Sequence, residues 1–271
     1  MVKKLIKHEF IAYLRSLLPI ELALVGIATL LRFIQIFEND STGYSILFVS
    51  AVIAFVAAII VCIVMTFIVS IQRYYKNLFK AEGYLTFTLP VTHSQHIFAK
   101  LICAVSVTVA TLINVFISVC IATAGEFTVE LFKAAGYILN RISENIGAGN
   151  LTFYIIEFVI AAIVALFTEY LLFYACITLG QTAKKNRVAA AVGIYFAYYY
   201  ATQILATIAI MIFSSITFSH EFMMAVSDFI DKNAKQLLHA GSWLFIVLTA
   251  VMGFVYYLVS LKVMQKKLNI E

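Results

Sequence analysis

Two His-Glu pairs, His8-Glu9 and His220-Glu221, are the first residues of this chain that could do chemistry. On a helix, such a pair with a second His one turn later binds zinc, and the Glu serves as general base. The completing positions here are Ala12 and Met224, so neither pair makes that site. His93 and His96 could share a metal, but no carboxylate or thiol follows them at ligand spacing. There is no Gly-x-Ser-x-Gly elbow for a nucleophile, and no two carboxylates share a helix face. Nor is there a Gly-x-x-x-x-Gly-Lys-Ser/Thr loop, whose amides and lysine would cradle a nucleotide. The expectation is a chain that is no enzyme, holds no metal and hydrolyses no ATP by itself.

The remaining chemical groups sit in apolar surroundings. Glu21, Arg32, Glu157 and Glu169 fall within long apolar runs. A charge at mid-bilayer costs about 2.5–3.5 kcal/mol on insertion scales, so each should face protein or water. Glu21 and Arg32 lie about three helical turns apart and share a face. For Arg32 the alternatives are a structural ion pair or a side chain that snorkels outward. In the fifth run Ala189, Gly193, Ala197 and Ala201 recur every four residues, a stripe that lets another helix approach closely. Tyr195, Tyr198, Tyr199 and Thr202 occupy the opposite side. Tyrosine hydroxyls at such depth need partners, so this face is either internal packing or the lining of a path for an amphipathic substrate.

Positioning these groups are six apolar runs: Leu17 to Phe37, Tyr44 to Ile71, Ile97 to Ala122, Leu151 to Leu179, Val188 to Ile216 and Ser242 to Leu261. The chain is 63% hydrophobic and 12% charged, against roughly 25% charged residues in a soluble domain. About 20 apolar residues in helix span a hydrocarbon core, and open sheet in lipid would leave backbone groups unpaired. The predicted fold is therefore an all-α integral membrane protein, a six-helix bundle. No internal repeat or composition shift divides it, so it reads as one transmembrane domain over residues 1–271. Of the 19 Lys and Arg, all but Arg32, Lys133, Arg141, Lys232 and Lys235 fall on one side of such a bundle. Basic residues stay on the cytoplasmic side, which predicts a multi-pass membrane protein with both termini cytosolic. The net charge of +5 reflects that topology and gives no argument for nucleic acid.

Ile6, Phe10, Tyr13, Leu14 and Leu17 repeat at helical spacing, with Lys3, Lys4 and Lys7 off the stripe. This predicts an interfacial helix, with Pro19 marking a change of direction into the first span. Glu9 and Arg15 interrupt any apolar core that a cleaved signal would need. Cys62, Cys103, Cys120 and Cys176 all lie in or at the ends of runs, as small apolar residues. Two outer segments, 126–145 and 220–239, each gather apolar residues on one face. They read as extracellular amphipathic helices that either cover the bundle or gate it.

Between the second and third runs lies a segment neither apolar enough to cross nor polar enough to be a simple connector. Tyr74, Tyr75, Leu78 and Phe79 continue the period of the second helix, Gly83 breaks it, and Tyr84, Leu85 and Phe87 offer apolar surface. Thr92 with Gln95 makes a capping box for the third helix. The aromatics either seal neighbouring helix ends or dock a soluble partner.

The stretch RYYKNLFKAEGYLTFTLPVTHSQHIFAK, Arg73 to Lys100, resembles the loop between the second and third spans of type-2 ABC exporter permeases from Gram-positive bacteria. Glu82 to Val91 follow that family's pattern position by position, and Lys80-Ala81 depart from its commonest form. The likeness extends more weakly over the whole chain. It implies a permease that dimerises, as homo- or heterodimer, and binds a separate cytosolic ATPase carrying ATP and Mg. Docking would use a coupling helix that includes Asn77, Lys80, Glu82, Tyr84, Leu85 and Phe87. The implied cargo is an amphipathic or hydrophobic peptide, such as a bacteriocin or peptide toxin, as for lantibiotic-immunity and phenol-soluble-modulin exporters. Drugs or lipids are the alternative cargo. A proton-coupled transporter using Glu157 or Glu169 and a membrane scaffold without cargo are the rival classes.

Overall fold

The structure is a computed structural model that describes residues 2–37, 39, 41–80, 91–123, 126–217 and 220–267. Among the described residues every regular element is a helix: α1 (Val2–Ile36), α2 (Thr42–Phe79), α3 (His93–Ala122), α4 (Glu126–Ile146), α5 (Ala148–Gly180), α6 (Arg187–Thr217) and α7 (His220–Lys267). Six of them, all but α4, contain a stretch long and apolar enough to cross a membrane. The chain is a multi-pass membrane protein by this measure. It gathers into two compact units, Met1–Arg141 and Ile142–Glu271.

In the first unit α1 packs on α3 and on α2, and α2 packs on α3. One buried stripe explains α1. Ile6, Glu9, Tyr13, Leu17, Ile20, Leu24, Ala28 and Leu31 follow one another at steps of three or four, all buried or half-buried. Tyr13 and Leu17 pack with Cys103 and Val107 of α3. Leu24, Ala28 and Leu31 pack with Phe55 and Cys62 of α2 and Ala122 of α3. The stripe runs past Pro19, so α1 is a single helix from Val2 to Ile36, not an interfacial helix followed by a separate span. Pro19 lies on the exposed face, as does Arg15, whose carbonyl loses its helical hydrogen bond to the proline nitrogen. Packing on α3 before and after the proline holds the helix together across it.

Helix ends follow local chemistry. Ser41 Oγ accepts the amide of Tyr44 at 3.3 Å to start α2. The expected capping box starts α3, with Thr92 Oγ1 accepting the Gln95 amide and Gln95 Oε1 accepting the Thr92 amide. α2 continues to Phe79, as the spacing of Tyr74, Tyr75, Leu78 and Phe79 predicts. Between α4 and α5, Gly147 has φ +94, which a side chain would disfavour. α4 exists over the predicted stretch, and Leu131, Ile138 and Ile142 of its apolar face are exposed. α7 joins the outer segment and the last apolar run in one element, broken by non-helical backbone at Asn233.

In the second unit α5 is the central helix, packed on α7 and α6. Tyr170 and Tyr174 of α5 are fully buried. Close approaches are made by glycines other than Gly193. A Cβ on Gly180 would lie 2.6 Å from the Ala191 Cβ and 2.7 Å from its backbone nitrogen. One on Gly253 would lie 2.7 Å from Thr168 Oγ1, beside the bond that Thr168 donates to the Thr249 carbonyl at 3.1 Å. By contrast Ala189, Gly193, Ala197 and Ala201 are exposed or open, and a Cβ on Gly193 meets nothing within 4 Å. The stripe is exposed along its length. Gly180→Ala should therefore cost about 1–3 kcal/mol through overpacking and lower the thermal unfolding midpoint in detergent. Gly193→Ala should leave that midpoint unchanged.

Candidate functional site

The last turns of α2 and the first turns of α3 flank the segment 81–90, which lies outside the described residues. Glu82, Tyr84, Leu85 and Phe87 therefore lie outside the description as well. Glu9, on the buried stripe of α1, accepts a hydrogen bond from Arg73 Nη2 of α2 at 2.7 Å and from Lys100 Nζ of α3 at 2.6 Å. Asn77 Nδ2, one turn after Arg73, donates to the same carboxylate at 3.3 Å. Arg73 also lies 4.8 Å from the centre of the Tyr13 ring. One carboxylate thus binds two cations and an amide from two other helices.

Burial makes this arrangement obligatory. The Glu9 side chain is 7% exposed and that of Lys100 3%, and an unpaired charge at such a site is strongly unfavourable. Asn77, half-buried, is part of this cluster. Lys80 is exposed, with its ammonium 5.5 Å from the Tyr75 ring centre. The role of Glu9 is missed when it is read only as an interruption of an apolar segment. Its place on the stripe with Ile6, Tyr13 and Leu17 is the sequence signal that could have found it.

Higher in the same unit, Glu21 is bound by two donors of α3. Thr111 Oγ1 donates to its Oε1 at 2.6 Å, and Asn114 Nδ2 bonds its other oxygen. Thr111 also meets Thr66 of α2 at 3.1 Å, so a polar seam crosses three helices. Arg32 donates to Gln35 at 3.1 Å on its own helix. Glu21 and Arg32, predicted to share a face, have separate partners.

In the second unit, Glu157 of α5 is bound from α7. His239 Nδ1 lies 2.8 Å from its Oε1, and Ser242 Oγ donates to its Oε2 at 2.5 Å. Tyr154 stacks on the His239 ring at 4.0 Å. Among the described residues no hydrogen bond joins the imidazole to the Ser242 hydroxyl. The imidazole is thus not placed to take that proton, and the trio is no nucleophilic triad. His239 and Ser242 lie three apart, and in the sequence they mark only the end of the outer segment and the start of the last apolar run.

The tyrosine face is partly assembled. Ala191, Tyr195, Tyr198 and Thr202 turn inward or are half-buried along one side of α6. Tyr195 stacks on Phe173 of α5 at 5.1 Å. The hydroxyls of Tyr198 and of Tyr256 on α7 bond each other, and their rings meet edge to face at 5.7 Å. Tyr199 is 52% exposed and lies off this side. Glu169 is half-buried one turn before Phe173. His96 is buried and His93 half-buried in α3. Among the described residues no three His, Cys, Asp or Glu gather as a metal site, and the four cysteines are free thiols.

Comparison with protein-family models, curated proteins and solved structures finds no match.

The cluster around Glu9 can be tested by what it leaves behind. Glu9→Ala strands the Lys100 ammonium in a buried site and should cost about 3–5 kcal/mol, read as a lower unfolding midpoint of the purified protein. Glu9→Met combined with Lys100→Met removes both buried charges and should lose less than Glu9→Ala alone.

Proposed function

We propose that this chain is the transmembrane permease subunit of an ATP-driven exporter in the bacterial plasma membrane, with both termini cytosolic. A second permease copy and a separate cytosolic ATPase, which brings ATP and Mg, complete the transporter. The cargo is an amphipathic or hydrophobic peptide of the bacteriocin or peptide-toxin kind. The observation that carries this reading is the Glu9 cluster at the root of the segment 81–90. A loop that relays force from an ATPase to membrane helices needs rigid attachment at both ends. Arg73 and Asn77 before the segment and Lys100 after it are tied to one carboxylate of a third helix. The resemblance of Arg73 to Lys100 to the permease coupling loop gives the partner its identity.

Secondary transport is the second reading, and one observation favours it, although the inverted repeat usual in such transporters is missing from the sequence. A membrane-embedded carboxylate–imidazole pair, Glu157 with His239, could carry a proton. This transporter would need no ATPase.

Copurification decides between them. Buried aromatic or aliphatic anchors can each cost more than about 2 kcal/mol on truncation, whereas exposed ion pairs contribute about 0–1 kcal/mol. Tyr84→Ala with Leu85→Ala should release the ATPase or uncouple its hydrolysis from export. Glu82→Lys should act more weakly, and less at high salt. A double alanine variant that keeps both the ATPase and export would refute the docking role.

A further inference from the structure

Four carboxylates lie within the candidate membrane spans: Glu9, Glu21, Glu157 and Glu169. Three have their oxygens occupied by donors from other helices. Glu169 is the exception. Among the described residues it has neither a hydrogen-bond donor nor a counter-charge, although it is half-buried in α5. Hydroxyls are close at hand, yet those of Tyr198 and Tyr256 are paired with each other. The chain neighbour of Glu169, Thr168, meets Gly253 of α7, one turn before Tyr256. One turn along α5, Phe173 stacks on Tyr195, so the carboxylate adjoins a group of aromatic rings.

A negative charge next to aromatic rings is the chemistry that receives an organic cation. The carboxylate supplies charge and accepts N–H groups, and ring faces attract the same cation through their quadrupoles. An inorganic ion would need several oxygen ligands converging on it, and the hydroxyls of Tyr198 and Tyr256 are engaged with each other. The half-exposed state of Glu169 leaves it open to a ligand, unlike the closed cluster around Glu9.

We infer that Glu169, with the rings of Phe173, Tyr195 and Tyr256, forms a binding site for a hydrophobic cation, an ammonium or guanidinium borne on an apolar body. The inference deepens the exporter reading by assigning charge to its cargo, and it rests on that reading only for the step from binding to transport. The same chemistry could be offered by a lysine or arginine of an amphipathic peptide or by a small lipophilic cation.

The test uses the full chain in phosphatidylcholine nanodiscs with tritiated tetraphenylphosphonium as probe. Saturable binding is expected, and Glu169→Gln should weaken it by about tenfold or more without lowering the unfolding midpoint. Tyr195→Leu should weaken binding less than Glu169→Gln, while Tyr195→Phe, which keeps the ring, should stay near the parent. Glu130→Gln, which removes an exposed acid on α4, should change nothing. An amphipathic Leu/Lys peptide that displaces the probe would assign the site to peptides. Displacement only by other small cations would assign it to those, and either result supports the site. Wild-type affinity in Glu169→Gln would overturn the inference, as would equal displacement by uncharged triphenylphosphine oxide. The exporter reading fails separately, if no ATPase copurifies while tetraphenylphosphonium still binds. Loss of the site with ATPase docking and export intact would defeat the cation inference alone.

Discussion

The first unit depends on a carboxylate that cannot be left alone. Lys100 is almost wholly buried and Arg73 largely so, and both converge on Glu9. Separating charge from counter-charge in such a place costs far more than a surface ion pair gains. The three helices that carry these residues are consequently held in register at one end. The alignment of α1 against α3, the passage of α1 through Pro19 and the inward turn of Asn77 all fit this restraint. The apolar packing of Tyr13, Leu17, Cys103 and Val107 begins directly above it.

Polar groups elsewhere obey the same rule with weaker partners. Glu21 is satisfied by a hydroxyl and an amide, and Glu157 by an imidazole and a hydroxyl. Tyr198 and Tyr256 satisfy each other. In a medium that offers no water, each of these bonds ties one helix to a chosen neighbour. They supply specificity that apolar side chains against lipid cannot. The carboxylate at Glu169 departs from this pattern, and a departure at such depth is where a ligand is to be sought.

Much of the architecture was legible because long apolar runs and cap residues have local causes. The six long helices, the capping box at Thr92 and the amphipathic stretch of α4 follow from nearby residues alone. Two features needed knowledge of distant neighbours. Pro19 reads as a boundary until the stripe from Ile6 to Leu31 is seen to pack on α3 on both sides of it. The stripe of Ala189, Gly193, Ala197 and Ala201 lies on an exposed face, and within the second unit the close backbone approach is that of Gly180 to Ala191. Spacing reveals which residues share a face but not which face is covered. The charge cluster was harder still, since Glu9, Arg73 and Lys100 are brought together only by the fold. Of the residues proposed to dock a partner, Asn77 bonds into that cluster and Lys80 is exposed beside the Tyr75 ring.

Hydrogen–deuterium exchange, compared between the parent protein and Glu9→Gln in the same detergent, tests the central restraint most directly. If Glu9 holds three helices together, peptides from the end of α2 (residues 73–80) and the start of α3 (residues 93–103) lose protection along with residues 5–17. Peptides from α5 of the second unit should keep theirs. A loss confined to α1, with 73–80 and 93–103 exchanging as before, would contradict the lock and remove the physical basis for a rigidly anchored docking loop.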